Sequence, residues 1–154
     1  MRRTLSLLAG LLMWSHAGVA ADKVVLFQNL SPISGVTIVA AAKGVFAKHG
    51  LDVEVRNVTS GKLALDALIG GSAQLATVAE TPVMRAGVAG QEIAIIATME
   101  ASDNDVQFLT RADRSIKTPP DLKGKKIATA VGTSAEYMVY SALQTQGLKM
   151  SDVT

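Results

Sequence analysis

The sequence predicts an α/β domain with a largely parallel sheet and helices on both faces. Short runs of valine, leucine and isoleucine alternate along the chain with longer stretches of helical periodicity, and glycine or proline turn signals separate them. Apolar residues make up 49% of the chain and charged residues 18%, which indicates a packed globular protein. Because only 4% of the residues are aromatic, the core must consist mainly of aliphatic side chains.

The predicted order begins with a strand at residues 23–27, where consecutive apolar residues are typical of a buried parallel strand. A loop at residues 31–35 leads into an alanine-rich helix over residues 37–48. We expect Gly50 to end this helix, since glycine is the residue most often found just after a helix C-terminus.

Residues 51–58 alternate between apolar and charged or polar side chains, which predicts a half-exposed strand near the edge of the sheet. A helix over residues 62–69 follows, ended by Gly70 and Gly71. A third strand is predicted at residues 74–78.

The next helix is predicted to run towards residue 89, with Thr81 as its N-cap and Pro82 in its first turn. Further strands are predicted at residues 92–99 and 106–110. In a sheet of this type, a ligand binds beyond the carboxyl ends of the strands.

A connection interrupts this pattern at residues 111–126, which hold six basic and two acidic residues together with two prolines and a glycine. The pattern then begins again, with a strand at residues 126–131, a turn at residues 132–134 and a helix over residues 136–146. One strand and one helix cannot bury a core of their own. We therefore expect the start of an incomplete second unit, the alternative being that these residues pack on the first unit.

Residues 1–21 have the layout of a secretory signal peptide. Two arginines precede a short apolar core at residues 5–14, and small residues mark a cleavage point after Ala20 or Ala21. The apolar core is too short to span about 30 Å of hydrocarbon, which argues against a membrane anchor. We therefore expect the mature protein in the periplasm.

The composition also excludes several functions. The chain has no cysteine, so disulfides, a cysteine nucleophile and thiolate metal sites are excluded. Without the signal peptide, thirteen basic residues face thirteen acidic residues, which gives no support for nucleic-acid binding. Neither a Ser-His-Asp set nor a phosphate-binding glycine motif is present. We predict a protein that is not an enzyme and that uses neither a cofactor nor a metal.

Three segments carry a resemblance to known proteins. Residues 44–54 read GVFAKHGLDVE, similar to the pattern G-x-F-x-x-x-G-L-x-V-E. Residues 59–61 lead into a helix, and residues 70–74, GGSAQ, precede a strand. Residues 121–127, DLKGKKI, are followed by GTS at residues 132–134. In this order they resemble the periplasmic substrate-binding proteins of ABC importers for sulfonates, taurine and nitrate, a group that includes binders of thiamine precursors.

The resemblance implies a periplasmic-binding-protein-like fold of type II, in which a hinge joins two α/β lobes that hold a ligand between them. It implies that residues 22–110 form lobe one, that residues 111–120 form the hinge and that residues 121–154 are the start of a truncated lobe two. The implied function is capture of a small anion or related molecule, such as a sulfonate, taurine or nitrate. The implied partner is an ABC permease in the inner membrane, served by a monomeric binding protein.

Two strand–turn–helix junctions are candidates for holding an anion, because a helix N-terminus presents unpaired N–H groups and roughly half a positive charge. Glycine lets the backbone approach a ligand, and hydroxyl groups supply donors. The junctions are Thr59, Ser60 and Gly61, and Gly132, Thr133 and Ser134. Both could equally be ordinary N-caps and turns, and the sequence leaves the two interpretations open.

Ser34, Glu80 and Thr81 also lie at predicted loop ends that face a ligand. The Glu80 carboxylate could accept a hydrogen bond from an amine or a pyrimidine. Alternatively, it is a surface carboxylate near a helix start, where a negative charge is favourable by about 0.3–1 kcal/mol.

Three other functions stay open at this point. The protein could present its ligand to a membrane sensor, or it could be a pyrimidine-synthase-like enzyme of the same fold. The absence of cysteine and the export signal count against the enzyme. A chain that ended at Thr154 in nature could be a non-functional remnant.

Overall fold

The computed structural model describes residues 22–154, so the predicted signal peptide lies outside the described residues. The described chain forms three strands, five α-helices and four short 3-10 turns. The strands are β1 (Asp22–Asn29), β2 (Leu51–Val58) and β3 (Leu75–Ala76), and the helices are α1 (Gly35–Ala42), α2 (Val45–Lys48), α3 (Gly61–Ile69), α4 (Glu80–Val88) and α5 (Ser134–Gln144). The 3-10 turns are Pro32–Ser34, Ala112–Arg114, Pro119–Leu122 and Met150–Asp152.

The three strands form one parallel sheet in the order β2-β1-β3, as the alternation of strands and helices predicts. The register pairs Asp22 with Leu51 and Asn29 with Val58. After β1 the chain forms β2 on one side of it, and after β2 it crosses back to form β3 on the other side. Right-handed crossovers therefore place α1 and α2 on the opposite face from α3. The predicted edge position of β2 is confirmed, and its charged side chains are exposed.

Strand β3 is shorter than predicted because side-chain oxygens replace main-chain partners at both of its ends. The Gln74 Oε1 atom accepts the Val25 N–H at 2.8 Å, and the Thr77 Oγ1 atom accepts the Asn29 N–H at 3.2 Å. The paired residues of β1 are only Leu26 and Phe27, and main-chain hydrogen bonds at the two ends run from the Gln74 N–H to the Val25 carbonyl and from the Thr77 N–H to the Phe27 carbonyl. The first and third strands are nevertheless joined along most of their common length.

Two helix predictions need correction. The single helix expected over residues 37–48 is interrupted, because Gly44 adopts the left-handed conformation at φ +62° between α1 and α2. Thr81 is not an N-cap: α4 begins at Glu80 after Ala79, and the Thr81 side chain is buried. The predicted end at Gly50 is confirmed by its φ of +76°.

The strands expected over residues 92–99, 106–110 and 126–131 are wrong. No backbone–backbone hydrogen bond involves residues 92–110 within the described chain. In the third segment, the Ile127 N–H donates to the Thr154 carbonyl at 2.8 Å, and the rest of the segment has no neighbouring strand. A strand requires a hydrogen-bonded neighbour, so apolar content alone was a misleading signal here.

The aliphatic core lies in two places. In residues 22–90, the sheet region, Leu26 of β1 and Leu65 of α3 are each 4% exposed. In residues 116–154, the α5 region, Val139 and Leu143 of α5 pack with Leu122. Among residues 22–154, no helix has the length and hydropathy needed to cross a bilayer.

Candidate ligand-binding cleft

Helix α3 starts in close contact with the loop that leads into α4. A Cβ atom added to Gly61 would lie 3.2 Å from the Val78 Cα atom and 3.3 Å from the Thr77 carbonyl oxygen. Only glycine allows this approach of two backbones. Ser60 caps the helix, since its hydroxyl oxygen accepts the Leu63 N–H at 3.3 Å.

The turn before α5 lies against the start of α3. Gly132 adopts a φ of +80°, and a Cβ atom there would come within 3.3 Å of Cδ and Cε of Lys62. The two junctions that the sequence analysis selected are therefore neighbours in space, although about seventy residues separate them in the chain.

The first residues of α4 and α5 are joined by a direct hydrogen bond. The Ser134 hydroxyl donates to the Glu80 carboxylate at 2.7 Å, and the Thr81 hydroxyl donates to the same oxygen at 3.1 Å. The Ser134 hydrogen bond holds the pKa of the Glu80 carboxyl below its usual value, which partial burial opposes. Glu80 is therefore a negative charge near neutral pH, placed at the point where three helices begin.

A second carboxylate stabilises the turn before α5. The Gly132 N–H donates to Glu136 Oε2 at 2.8 Å, and Arg85 of α4 donates to the same oxygen at 3.0 Å. Thr133 occupies the N-cap position without capping through its side chain, because its hydroxyl donates to the Ala130 carbonyl at 2.7 Å. Its role in the turn therefore differs from that of Ser60.

A buried polar network lies at the carboxyl end of the sheet. The Ser34 hydroxyl has no exposed surface. It donates to Asn29 Oδ1 at 2.7 Å and shares a hydrogen bond of 2.7 Å with the Thr77 hydroxyl. Thr37 of α1 donates to Gln28 Oε1 at 2.8 Å. These bonds satisfy polar groups that would otherwise be costly to bury.

A cavity of about 600 Å³ opens between α4, α5 and residues 95–106. Aliphatic side chains, Tyr137 and Met138 form much of its wall. In the part of the chain that the structure describes, the charged residues that line it are all acidic: Glu80, Glu100, Asp103 and Asp105. The wall of the cavity therefore favours a ligand that brings positive charge or hydrogen-bond donors to this side.

The predicted site residues divide into three groups. Glu80 and Ser134 line the cavity. Ser60, Gly61, Gly132 and Thr133 form the two helix starts beside it, with Thr59 exposed just before them. Ser34 and Thr81 are buried; Ser34 bonds to Asn29, which does not line the cavity, whereas Thr81 donates to Glu80, which does.

Sequence reasoning missed Lys62, Arg85 and Glu136. A signal existed for Glu136, because it lies three residues after Thr133 in the T-x-x-E pattern of a capping box. No local pattern pointed to Arg85 or Lys62, whose roles depend on residues far along the chain. Within residues 22–154, no group of three or more histidine, aspartate or glutamate residues is placed to hold a metal ion.

Residues 32–154 match the family described as NMT1/THI5 like, and the chain belongs to this family. Its relatives include binding proteins of the kind that the three sequence segments indicate. The predicted resemblance is thereby confirmed.

Three curated relatives illustrate the likeness. The chain is 32% identical over 120 residues to a binding protein of Brucella abortus (strain 2308), covering 78% of this chain and 36% of that protein. It is 31% identical over 94 residues to a protein of Escherichia coli (strain K12) named as an aliphatic sulfonates-binding protein, covering 61% and 30%. It is 29% identical over 149 residues to the taurine-binding periplasmic protein of the same strain, covering 96% and 45%. The chain spans less than half the length of these relatives.

Solved structures show the same fold. The alkanesulfonate-binding protein SsuA from Xanthomonas axonopodis pv. citri, bound to MOPS, matches with a TM-score of 0.68 at 21% identity, over 86% of this chain and 46% of that one. The periplasmic aliphatic sulphonate binding protein SsuA from Escherichia coli matches with a TM-score of 0.60 at 22% identity, over 86% and 43%. At these identities the matches establish the fold, and they confirm the predicted α/β class.

Proposed function

We propose that this chain is the cargo-binding N-terminal part of an exported solute-binding protein that serves an ABC permease, and that its cargo is a small aminosulfonate of the taurine kind. Residues 22–110 would form lobe one and residues 121–154 the start of lobe two, joined by a hinge at residues 111–120. The relatives named for sulfonates and taurine support this role. Export to the periplasm and a monomeric state belong to the same proposal.

The observation that carries the choice of cargo is the meeting of opposite electrostatic signs in one cleft. Ser134, the first residue of α5, lines the cavity, and the N-terminus of a helix favours an anionic group such as a sulfonate. Among residues 22–154, those that line the cavity include four carboxylates and no lysine, arginine or histidine. A zwitterion satisfies both sides, whereas a simple anion such as nitrate satisfies only one.

Glu80 is the residue that distinguishes these cargoes, because it lies where both sides of the cleft meet. A charge-assisted hydrogen bond from a ligand amine to this carboxylate is worth about 1.5–3 kcal/mol, or roughly tenfold to a hundredfold in affinity. We expect the whole protein to bind taurine at least about tenfold more tightly than ethanesulfonate, which lacks the amine.

Isothermal titration of the Glu80→Gln variant tests this assignment. The substitution should remove most of the preference for taurine over ethanesulfonate while leaving the protein folded, since Glu80 is exposed. Glu92→Gln is the matched control, because Glu92 is also exposed and does not line the cavity. An unchanged preference in Glu80→Gln would exclude Glu80 as the amine acceptor. Binding of an aminopyrimidine but of no sulfonate would redirect the proposal to that class of cargo.

The pH dependence provides a second measurement on the same residue. The pKa of Glu80 is lowered from the usual 4.5 in the folded chain. The carboxylate therefore contributes fully to stability above about 4.5, and its contribution is lost as the pH falls through the lowered value. Taurine affinity should stay constant across neutral pH and decrease below 4.5, and the decrease should be absent in Glu80→Gln.

A further inference from the structure

The sheet region and the α5 region are held together by side chains. No backbone–backbone hydrogen bond joins residues 22–90 to residues 116–154 in the described chain. The apolar cluster around Leu143 contains no residue of the sheet region. Their relative position therefore depends on the chain that joins them and on side-chain contacts, which include two polar contacts between α4 and α5.

Glu136 lies at the centre of these contacts. A single oxygen of its carboxylate accepts both the Gly132 N–H and the Arg85 guanidinium. The Glu136 side chain is 24% exposed, against 58% for Arg85. The carboxylate thus fixes the turn of its own region and reaches across to α4 of the other region.

The Arg85–Glu136 ion pair differs from the other ion pairs of the described residues. Those pairs join residues two or four positions apart. Arg85 and Glu136 are 51 positions apart. An ion pair between neighbouring residues cannot hold two regions together, whereas this one does.

We propose that Glu136 is a positioning residue and that its ion pair with Arg85 is a salt-sensitive latch, which holds the two regions closed before any cargo arrives. The latch keeps the turn at residues 132–134 against α3 and α4, so that Ser134 meets Glu80 and Gly132 lies beside Lys62. The cleft is then already shaped when a ligand enters it.

A partly exposed ion pair is screened by salt and contributes little on its own. The latch is therefore weak enough for the regions to separate when a ligand enters or leaves. Its loss should change the balance between closed and open arrangements without unfolding either region, because both cores lie away from it.

Distance measurements between spin labels test the latch without any ligand. The chain has no cysteine, so Lys48→Cys and Gln146→Cys place one label on each region of the whole protein. Both sites are exposed, one at the end of α2 and one just after α5. We expect a single narrow distance distribution at low salt, with a second, longer distance appearing as sodium chloride is raised.

Substitutions at the latch should reproduce the effect of salt. Arg85→Met and Glu136→Gln should each raise the open fraction by about two- to fivefold at low salt. Glu136→Leu should raise it further, because it also removes the acceptor of the Gly132 N–H. Glu54→Gln is the matched control, since it breaks an exposed ion pair with Arg56 inside the sheet region and should change nothing.

Exchange of the two charges provides a rescue. The double variant Arg85→Glu with Glu136→Arg should recover much of the closed distance, because the ion pair is restored while the acceptor for Gly132 is not. The proposal would be overturned if every latch variant had the same distance distribution as the unsubstituted protein. It would also be overturned if the distribution of the unsubstituted protein did not change with salt. The experiment contains no ligand, so its outcome is independent of the proposed cargo.

Discussion

In the sheet region, β1 is hydrogen-bonded to β2 along its whole length and to β3 on its other side, whereas the described α5 region contains no strand. The α5 region relies on one helix that packs Val139 and Leu143 on Leu122. The two regions thus use different means to present a helix start to the same cleft.

The difference has a functional meaning. Backbone pairing fixes the register of the sheet, so the positions of Asn29 and Thr77 relative to each other are fixed as well. The start of α5 is placed by side-chain contacts, among them the Arg85–Glu136 ion pair and the Ser134–Glu80 hydrogen bond. Backbone pairing therefore fixes one side of the cleft, and the proposed latch acts on the other.

Removal of a core side chain tests this contrast most strongly. Leu143→Ala should cost about 2–5 kcal/mol, because Leu143 is only 1% exposed in the cluster that holds the α5 region together. The loss should unfold α5 while the parallel sheet persists. Hydrogen exchange followed by mass spectrometry would show unprotected amides in residues 134–144 and protected amides in β1.

Leu65→Ala is the counterpart in the sheet region, where Leu65 is 4% exposed. It should cost a similar free energy but should expose β1 and α3 together, since α3 packs on the sheet. Simultaneous loss of protection in both regions for both variants would show that they unfold as one unit and would remove the contrast.

Two glycine substitutions should have smaller effects on the free energy of unfolding, and the two effects should have opposite signs. Gly61→Ala should destabilise the protein by about 1–3 kcal/mol, because the new Cβ would press on the backbone of Val78 and Thr77. Gly87→Ala in α4 meets nothing within 4 Å and should stabilise it by about 0.5–1 kcal/mol. Chemical denaturation measures both, and two changes of the same sign would contradict the close packing at Gly61.

The smallest difference concerns the two hydroxyl residues at the helix starts. Ser60→Ala should cost about 1 kcal/mol, since Ser60 caps α3. Thr133→Ala should cost less, because the Thr133 hydroxyl bonds to a preceding carbonyl instead of capping α5. Thermal unfolding of the two single variants, compared with the double variant, would reveal the asymmetry. Equal shifts would mean that the two junctions are equivalent.

The parts of the molecule that the sequence predicted well are those with local causes. Strand β2 carries its own alternation, and α3 has a serine before it and two glycines after it. Helix α5 could be placed to within a few residues for the same reason. The two predicted helix starts are neighbours in space, and Ser134 among their residues lines the cavity, while their role in binding stays a prediction.

Other parts depended on residues far away in the chain. Thr81 has the residue type of an N-cap, but its neighbour Glu80 begins the helix and takes the hydrogen bond from Ser134. The apolar segment at residues 92–99 lacks a hydrogen-bonded neighbour, and no property of its own sequence reveals this.

The sequence by itself therefore determined the class of fold, the family and the positions of most helices and strands, because periodicity, caps and glycine turns act within a few residues. Only the tertiary structure decided which charges meet in the cleft and which side chains hold the two regions together. Arg85 and Glu136 are 51 residues apart, and so distant a pairing depends on how the whole chain is folded.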